Sequence, residues 1–404
     1  MTAHRFRQLV AGEVASLTGA GLIGAVATFL FWLLVARRAS LSLAGRATTV
    51  VVVGSVINAV SSFGLTAGVL REKVHGGLAR STLRTAYGLS AAGSVGVSAL
   101  AIVVWPRDSL DVLQLSTSTL FVHLVGLSGG LALSVLTDTV AAGFGMSRLA
   151  VIRNVAVLLL RGAAVLTTNH LTCNTVLTAF WLPTVLSTAI TLPILWLRAD
   201  LRRHTDESPR RAVMESLRAW PTSLVFSAVS MLPPLIVTMA TDLDHGAVFY
   251  LLWNTALLAN SVVGAWTSLG LRENASDLRG SNFVISAMEK LVVIVVATTT
   301  AIAGIVAVIA YGPEYRHLGL FAAPLVGLGV LPYGIVQFRV LAFRRRGQHG
   351  QAMVTTATLL AVWMLGVLLT RPSSLVGVAL WWCGGSALSM LVSSPRVFQR
   401  ELSP

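Results

Sequence analysis

The sequence predicts an all-α, polytopic membrane protein with about twelve transmembrane helices, and three observations support this fold class. Of its 404 residues, 55% are hydrophobic and only 11% are charged, whereas a soluble domain has roughly 25% charged residues. Apolar stretches of the ~20 residues that cross a bilayer follow one another from Val14 to about Val392. Basic residues concentrate in alternate loops between these stretches. With a mean hydropathy of +0.77, nearly the whole chain is predicted to lie in lipid.

The first apolar stretch, residues 14–36, is a transmembrane helix rather than a signal peptide, because a signal h-region has only ~7–15 residues. Glycine and proline recur within the later stretches, as at Gly129-Gly130 and Pro233-Pro234. Membrane helices tolerate them where neighbouring helices satisfy the backbone. The predicted helices are 14–36, 47–70, 85–105, 115–142, 149–167, 174–197, 221–241, 247–270, 284–311, 318–338, 352–370 and 375–393.

The lysines and arginines predict the orientation. One set of alternate loops, together with both termini, holds 23 of the 30; the opposite set holds 6, and Arg161 lies within a helix. An excess of Lys and Arg marks cytoplasmic loops, so both termini are predicted in the cytoplasm. The net charge of +14 is then explained by topology signals and contact with anionic lipid headgroups, and no nucleic-acid partner is expected.

The longest polar stretch divides the chain into two halves. We predict an N-terminal six-helix lobe (1–200), a basic cytoplasmic linker (201–220) and a C-terminal six-helix lobe (221–404). Gly45 precedes Arg71 by the same 26 residues that separate Gly246 from Arg272. Because both halves begin with a helix running outward, this spacing predicts parallel repeats, as in transporters that hold substrate between two lobes.

Enzymatic function is not expected. The predicted external connections are short, leaving no loop where a membrane glycosyltransferase could join donor and acceptor; they are 37–46, 106–113, 168–173, 241–246, 312–317 and 371–374. The sequence has no Gly-rich nucleotide loop ending in Lys-Ser/Thr and no His-Glu-x-x-His helix. Cys173 and Cys383 predict no disulfide framework or zinc site. No cofactor or metal is expected.

Ionisable residues at membrane depth are the main site candidates, because each costs a few kcal/mol there unless it is paired or hydrated. Arg161 must face the bundle interior, where a cation in a water-filled cavity would attract a pyrophosphate or an acidic sugar. Its replacement by alanine is expected to abolish export and leave folding intact. Asp138 and Arg153 are candidates for an ion pair or coupling site, and His123 for a proton relay. A purely structural role stays open for all four.

Further substrate contacts are predicted at both lobes. Asn58 and Asn254 could bind sugar hydroxyls or hydrogen-bond neighbouring helices. Arg71 and Arg272 end equivalent helices at the cytoplasmic face. They could meet an anionic substrate at an inward-facing mouth or anchor the chain to lipid headgroups.

Three short motifs follow one another along the chain. The first helix runs into Ala36-Arg37, with Gly45 just before the predicted second helix. The ninth helix runs into Tyr311-Gly312-Pro313-Glu314-Tyr315. A basic loop, Phe343-Arg344-Arg345-Arg346-Gly347-Gln348, follows the tenth. Together these motifs resemble the polysaccharide (O-antigen type) flippases of the multidrug/oligosaccharidyl-lipid/polysaccharide (MOP) exporter superfamily, and the resemblance spans most of the chain.

The resemblance implies a 6+6 helix fold with a central cavity and alternating access. The implied function is to flip an undecaprenyl-pyrophosphate-linked oligosaccharide across a bacterial plasma membrane for cell-surface polysaccharide assembly. The implied partners are the bilayer and a polysaccharide polymerase or glycosyltransferases. Multidrug antiporters of the superfamily carry an acid within the first helix, which here has only Glu13 before its core, and the lipid II flippase branch has extra helices. A multidrug/cation antiporter and a non-transporting scaffold remain the alternatives.

Overall fold

The computed structural model describes residues 3–66, 69, 80–105, 108–199, 209–273, 287–345 and 348–394, and the described part contains helices and turns but no strand. Twelve helices of 18 residues or more and two short ones occupy it. In chain order they are α1 (Ala3–Arg38), α2 (Leu41–Ser61), α3 (Arg80–Val104), α4 (Asp108–Leu113), α5 (Thr117–Gly143), α6 (Ser147–Thr167), α7 (Cys173–Ala199), α8 (Pro209–Ala240), α9 (Leu243–Glu273), α10 (Ala287–Tyr311), α11 (Pro313–Gly319), α12 (Ala322–Arg345), α13 (His349–Thr370) and α14 (Leu375–Val392).

The long helices have the surface chemistry of membrane spans. Within the described residues, 11 of them are long and apolar enough to cross a bilayer, and α9, with 31 residues, is the remaining long helix. Large aliphatic side chains point away from the protein, including Leu100 (62% exposed), Leu159 (66%) and Leu369 (80%). Such surfaces are satisfied by lipid rather than water. The predicted class, an all-α polytopic membrane bundle, is confirmed.

The predicted second helix, 47–70, was wrong at both ends. α2 begins at Leu41, where the Ser40 hydroxyl accepts a hydrogen bond from the Leu43 amide, a typical N-cap. It ends at Ser61, and a turn with Phe63 at φ 46 and Gly64 at φ 67 follows. A Cβ on Gly64 would lie 2.6 Å from the backbone oxygen of Ser216 in α8. Contact with α8 therefore requires glycine where the sequence pattern suggested continuous helix.

Two predicted external loops contain short helices. α4 occupies most of 106–113, and α11 occupies the segment predicted as 312–317. Pro313 takes the first helical position of α11, where its missing N–H costs nothing. Gly312 precedes it at φ 125, a conformation that favours glycine. The predicted linker 201–220 is helical from Pro209 onward as the start of α8, and residues 201–208 lie outside the described part.

The chain forms two compact units, residues Met1–Met231 and Leu232–Pro404, and the division falls within α8. In the first unit, α2 packs against α3 and α5, α5 against α3, α6 and α7, and α6 against α7. In the second, α9 packs against α10 and α12, α12 against α10, α13 and α14, and α13 against α14. The short helices also correspond, since α4 contacts α2 and α11 contacts α9. These helices therefore pack in the same chain order in both units, whereas the contacts of α1 with α6 and of α2 with α7 occur in the first unit without a comparable contact in the described part of the second.

Candidate functional site

Three helices of the first unit, α5, α6 and α7, share a line of polar side chains, together with the backbone oxygen of Phe180, that we call the polar seam. On α7 the seam residues recur at helical spacing, so they lie on one face. Arg153 and Arg161 are two turns apart on α6, and both are buried, at 3% and 4% exposed. The seam has three layers, and it consists of His123, Asn174 and Trp181; Arg161, Phe180 and Thr184; and Ser134, Asp138, Arg153 and Thr188.

The first layer is centred on His123, which is 2% exposed. Its Nε2 lies 2.8 Å from Oδ1 of Asn174, and its Nδ1 accepts a hydrogen bond from the indole N–H of Trp181 at 3.1 Å. The ring of Trp181 lies against the backbone of α5, because a Cβ on Gly126 would come within 2.6 Å of it. The glycine thus allows α7 to approach α5 closely enough for the imidazole–indole contact.

The middle layer is built on Arg161, which connects three helices. Its Nε donates to the backbone oxygen of Phe180 at 2.8 Å, its Nη2 to Thr184 Oγ1 at 3.0 Å, and its Nη1 to Thr28 Oγ1 of α1 at 3.4 Å. The guanidinium also lies 3.9 Å from the centre of the Phe180 ring, a cation–π contact. Pro183 interrupts the backbone hydrogen bonding in this part of α7.

The space beside Arg161 is a crevice rather than a substrate cavity. It is lined by Gly126, Leu127, Gly130, Leu131, Arg161, Phe180, Trp181 and Thr184, and it leaves no enclosed room for a water-sized molecule. A drug-sized ligand occupies a cavity of roughly 300 Å³ or more. In this conformation Arg161 therefore faces the interior of its own unit, bonded to protein groups, and substrate contact by Arg161 stays a prediction.

The third layer is an ion pair with several polar neighbours. Arg153 Nη2 lies 2.6 Å from Asp138 Oδ2, and Arg153 Nε lies 3.2 Å from Oδ1. The same guanidinium donates to Ser134 at 2.7 Å and to Thr188 at 3.3 Å. The structure thus brings Asp138 and Arg153 together, and each oxygen of the carboxylate accepts a hydrogen bond from the guanidinium. Whether the pair takes part in coupling stays a prediction.

The other predicted site residues are dispersed. Asn58 is half-buried in α2, and Asn254 in α9 donates to the backbone oxygen of Tyr250, one turn earlier in its own helix, at 2.9 Å. Arg71 lies outside the described residues. Arg272 is in α9, but its side chain lies outside the described part. These four residues do not form a described cluster with the polar seam.

Sequence reasoning missed the α7 side of the seam. Asn174, Trp181 and Thr188 are spaced seven residues apart, as are Thr184 and Thr191. Thr184, Ser187, Thr188 and Thr191 are between 4% and 6% exposed. In a membrane helix, polar residues repeating every seven positions mark a face that meets other helices. This periodicity was the available signal.

Comparison with known proteins identifies the fold of this chain. No family model matches the sequence, and no curated protein matches it. Among solved structures, the lipid II flippase MurJ in an inward closed conformation has a TM-score of 0.67 at 10% identity, covering 96% of this chain and 88% of MurJ. A MATE transporter in complex with MaL6 has a TM-score of 0.65 at 15% identity, covering 97% of both chains. A MOP superfamily transporter from Pyrococcus furiosus, described as having a binding pocket of reverse polarity that suggests a different function, has a TM-score of 0.60 at 14% identity, covering 97% of both chains.

These likenesses extend over nearly the full length of the chain and include both repeats. At 10–15% identity they establish the fold alone. The protein therefore has the two-repeat helical fold of MOP superfamily transporters.

Proposed function

We propose that this protein is a membrane transporter that flips a polyprenyl-pyrophosphate-linked oligosaccharide across the bacterial plasma membrane for assembly of a cell-surface polysaccharide. The supporting fold is shared with transporters over at least 95% of this chain. One of these relatives is described as a lipid II flippase, so the same architecture carries a lipid-linked substrate there. We further propose that both termini lie in the cytoplasm, as the loop charges predict.

The observation that carries the substrate class is the sign of the buried charge. Among the described residues, the charged side chains that are fully buried are Arg153 and Arg161, both on α6 of the first unit. Asp138 compensates Arg153 and keeps its side chain 23% exposed. A guanidinium stays protonated in proteins, and a charge in a low-dielectric region acts over a long range. The resulting positive potential favours a diphosphate and disfavours a cationic drug.

Arg161 has a defined part in this proposal. Its charge contributes positive potential, without a direct bond to substrate in the described conformation. Arg71, Arg272, Asn58 and Asn254 are proposed as direct contacts to the pyrophosphate and the sugars. The bilayer, and a polysaccharide polymerase or glycosyltransferases, are the proposed partners.

The second candidate function is multidrug/cation antiport. Structures of MATE multidrug transporters share the fold at a TM-score of 0.64 and cover 95% of this chain. The composition of α1 argues against it, because Glu13 is its sole acidic residue and lies ahead of the apolar core. A cation-exchange site built on that helix would need a carboxylate at membrane depth.

A deletion strain of the source bacterium distinguishes the two functions. Polyprenyl-linked glycans are extracted and the membrane face that holds them is determined, in parallel with a drug-susceptibility panel. Flipping predicts accumulation of lipid-linked repeat units on the cytoplasmic face and loss of surface polysaccharide. Unchanged glycan lipids together with new drug sensitivity would replace this proposal with antiport.

A further inference from the structure

The contacts of His123 determine which of its nitrogens carries the proton. The indole N–H of Trp181 is a donor only, and it points at Nδ1 of His123 from 3.1 Å. Nδ1 must therefore present its lone pair. The other nitrogen, Nε2, lies 2.8 Å from Oδ1 of Asn174, so Nε2 carries the hydrogen and donates it. The arrangement requires a neutral imidazole.

Protonation of His123 is incompatible with this arrangement. A second N–H on Nδ1 would face the N–H of Trp181, and two donors cannot share a hydrogen bond. The imidazolium would also be a charge at a site that is 2% exposed, which is unfavourable without a counter-charge. Either Trp181 moves or the proton does not bind.

Asn174 gives the imidazole a connection to water. It lies in the first turn of α7, its side chain is exposed, and its amide oxygen is the partner of Nε2. This end of the first unit also carries the turn before α2 and the turn after α6, and the charge distribution predicts that it faces the cell exterior. A change in pH on that side therefore reaches His123 through a single residue.

The charged groups on the helices packed around this half of α5 are cationic. Arg46 lies near the start of α2, close to Cys173, which adjoins Asn174, and Arg161 shares the crevice with Trp181. Arg37 and Arg38 are at the same end of α1, whereas His4, Arg5, Arg7 and Glu13 are near its start. Toward the opposite end of their helices are Arg80, Arg84, Tyr87, Asp138, Arg148, Arg153 and Arg198. Outside these helices, Asp108 and Asp111 are in α4, which directly precedes α5, and His170 is in the turn between α6 and α7.

We propose that His123 and Trp181 form a proton-operated latch in the first unit, in which protonation of His123 from the Asn174 side releases Trp181 from α5. The release loosens the contact between α5 and α7, because the indole packs directly on Gly126 and lines the crevice beside Arg161. Arg161 cannot pass a proton onward, since a guanidinium does not deprotonate in proteins. The latch therefore responds to one side of the membrane. This inference does not depend on the proposed substrate.

The latch is tested by the fluorescence of the purified full-length protein in lipid nanodiscs between about pH 4 and pH 8, the range in which histidine titrates. The signal of Trp181 is isolated as the difference between wild type and Trp181→Phe. We expect it to change in a single-proton transition within this range. His123→Gln, which keeps a donor and an acceptor but does not titrate, should remove the transition. His245→Gln, in the second unit, is the matched control and should retain it.

A pH-independent difference signal in wild type would overturn the proposal, as would a transition that persists in His123→Gln. A second measurement covers the case in which His123→Gln does not fold. Trp181→Phe keeps the ring packing and removes the donor, so its melting temperature should fall below wild type at neutral pH. The difference in melting temperature should shrink as the pH falls, because wild type then loses the same hydrogen bond. A difference in melting temperature that stays constant with pH would also rule the latch out.

Discussion

Arg153 and Asp138 meet in a two-point contact between α6 and α5, with 2.6 Å between Nη2 and Oδ2 and 3.2 Å between Nε and Oδ1. Their side chains are 1% and 23% exposed, so the pair is largely withdrawn from water. Removing one partner of such a pair leaves a buried charge without compensation. Replacing both by apolar residues does not.

This geometry predicts strong coupling between the two side chains. Asp138→Asn and Arg153→Met should each lower the free energy of unfolding by about 3 kcal/mol. The double variant should lose much less than the sum, because no unpaired ion remains. Thermal unfolding in detergent measures all four proteins of the cycle. Additive losses would mean that the ion pair contributes nothing of its own.

The role of Arg161 can be divided into charge and hydrogen bonding. Arg161→Lys retains a cation but loses the forked donors that connect α1, α6 and α7, whereas Arg161→Gln loses both. Both variants should melt at lower temperature than wild type. Export per folded molecule should be retained largely in Arg161→Lys and fall at least tenfold in Arg161→Gln, the equivalent of about 1.4 kcal/mol.

Export of lipid-linked glycan is measured for these variants in a deletion strain and normalised to folded protein. Thr184→Val is the matched control, since it removes one acceptor of Arg161 and leaves the charge. Equal export in the lysine and glutamine variants would show that the positive potential is irrelevant to transport.

The turn after α2 predicts a stringent requirement for glycine. Gly64→Ala introduces a Cβ at φ 67 and within 2.6 Å of the Ser216 backbone oxygen, so we expect a loss of at least about 1 kcal/mol in the free energy of unfolding. Gly88→Ala in α3 meets nothing within 4 Å and should be neutral or slightly stabilising. Melting temperatures of the two variants make the comparison. A neutral Gly64→Ala would place α8 farther from this turn than the structure does.

Asp242, at the start of α9, is expected to stabilise the fold in a pH-dependent way. Its carboxylate accepts from the backbone N–H of His245 at 2.8 Å and lies 2.8 Å from the ring Nδ1. Partial burial by itself would raise the pKa of Asp242, but the bonds from His245 outweigh it and hold the pKa below its ordinary value. A carboxylate with a depressed pKa stabilises the fold above its unfolded pKa of about 3.9 and loses that effect as pH falls through the folded value.

Asp242→Ala should therefore cost about 1 kcal/mol of capping energy at neutral pH. The ion pair between Asp242 and His245 is expected to add little to the free energy of unfolding, because Asp242 is 57% exposed and solvent screens its charge. The difference in melting temperature from wild type should shrink below about pH 4. Asp242→Asn, which also caps helices, should lose less than the alanine variant. A difference that is constant down to the lowest pH would exclude the carboxylate as its source.

How far the fold follows from sequence depends on the range of the interactions. The end of α10 at Tyr311 was predicted, because Gly312 and Pro313 terminate a helix locally. The end of α2 was not, because it depends on Ser216, about 150 residues later in the chain. The short helix α11 was missed, since seven residues are too few for a hydrophobic period.

The candidate site also has features that local sequence predicts and features that depend on distant residues. The depth of Arg161 and its inward orientation follow from the cost of an exposed cation in lipid. Its partners do not, because Thr28 lies 133 residues away along the chain and the choice of facing helices is tertiary. The same holds for His123, whose hydrogen-bond partner Trp181 lies 58 residues later. Local chemistry identified the ionisable residues, and packing determined what they bind.

Movement of a polyprenyl-pyrophosphate-linked oligosaccharide between leaflets is measured with the purified protein in proteoliposomes. The vesicles contain a polyprenyl-pyrophosphate glycan with a fluorescent sugar, and a membrane-impermeant quencher reads the fraction in the outer leaflet over time. We predict that the protein exposes glycan lipid initially in the inner leaflet to the quencher, while a labelled phosphatidylcholine in the same vesicles stays protected. If the glycan lipid becomes exposed no faster than in protein-free vesicles, under both an imposed pH gradient and an imposed membrane potential, the protein does not flip this lipid.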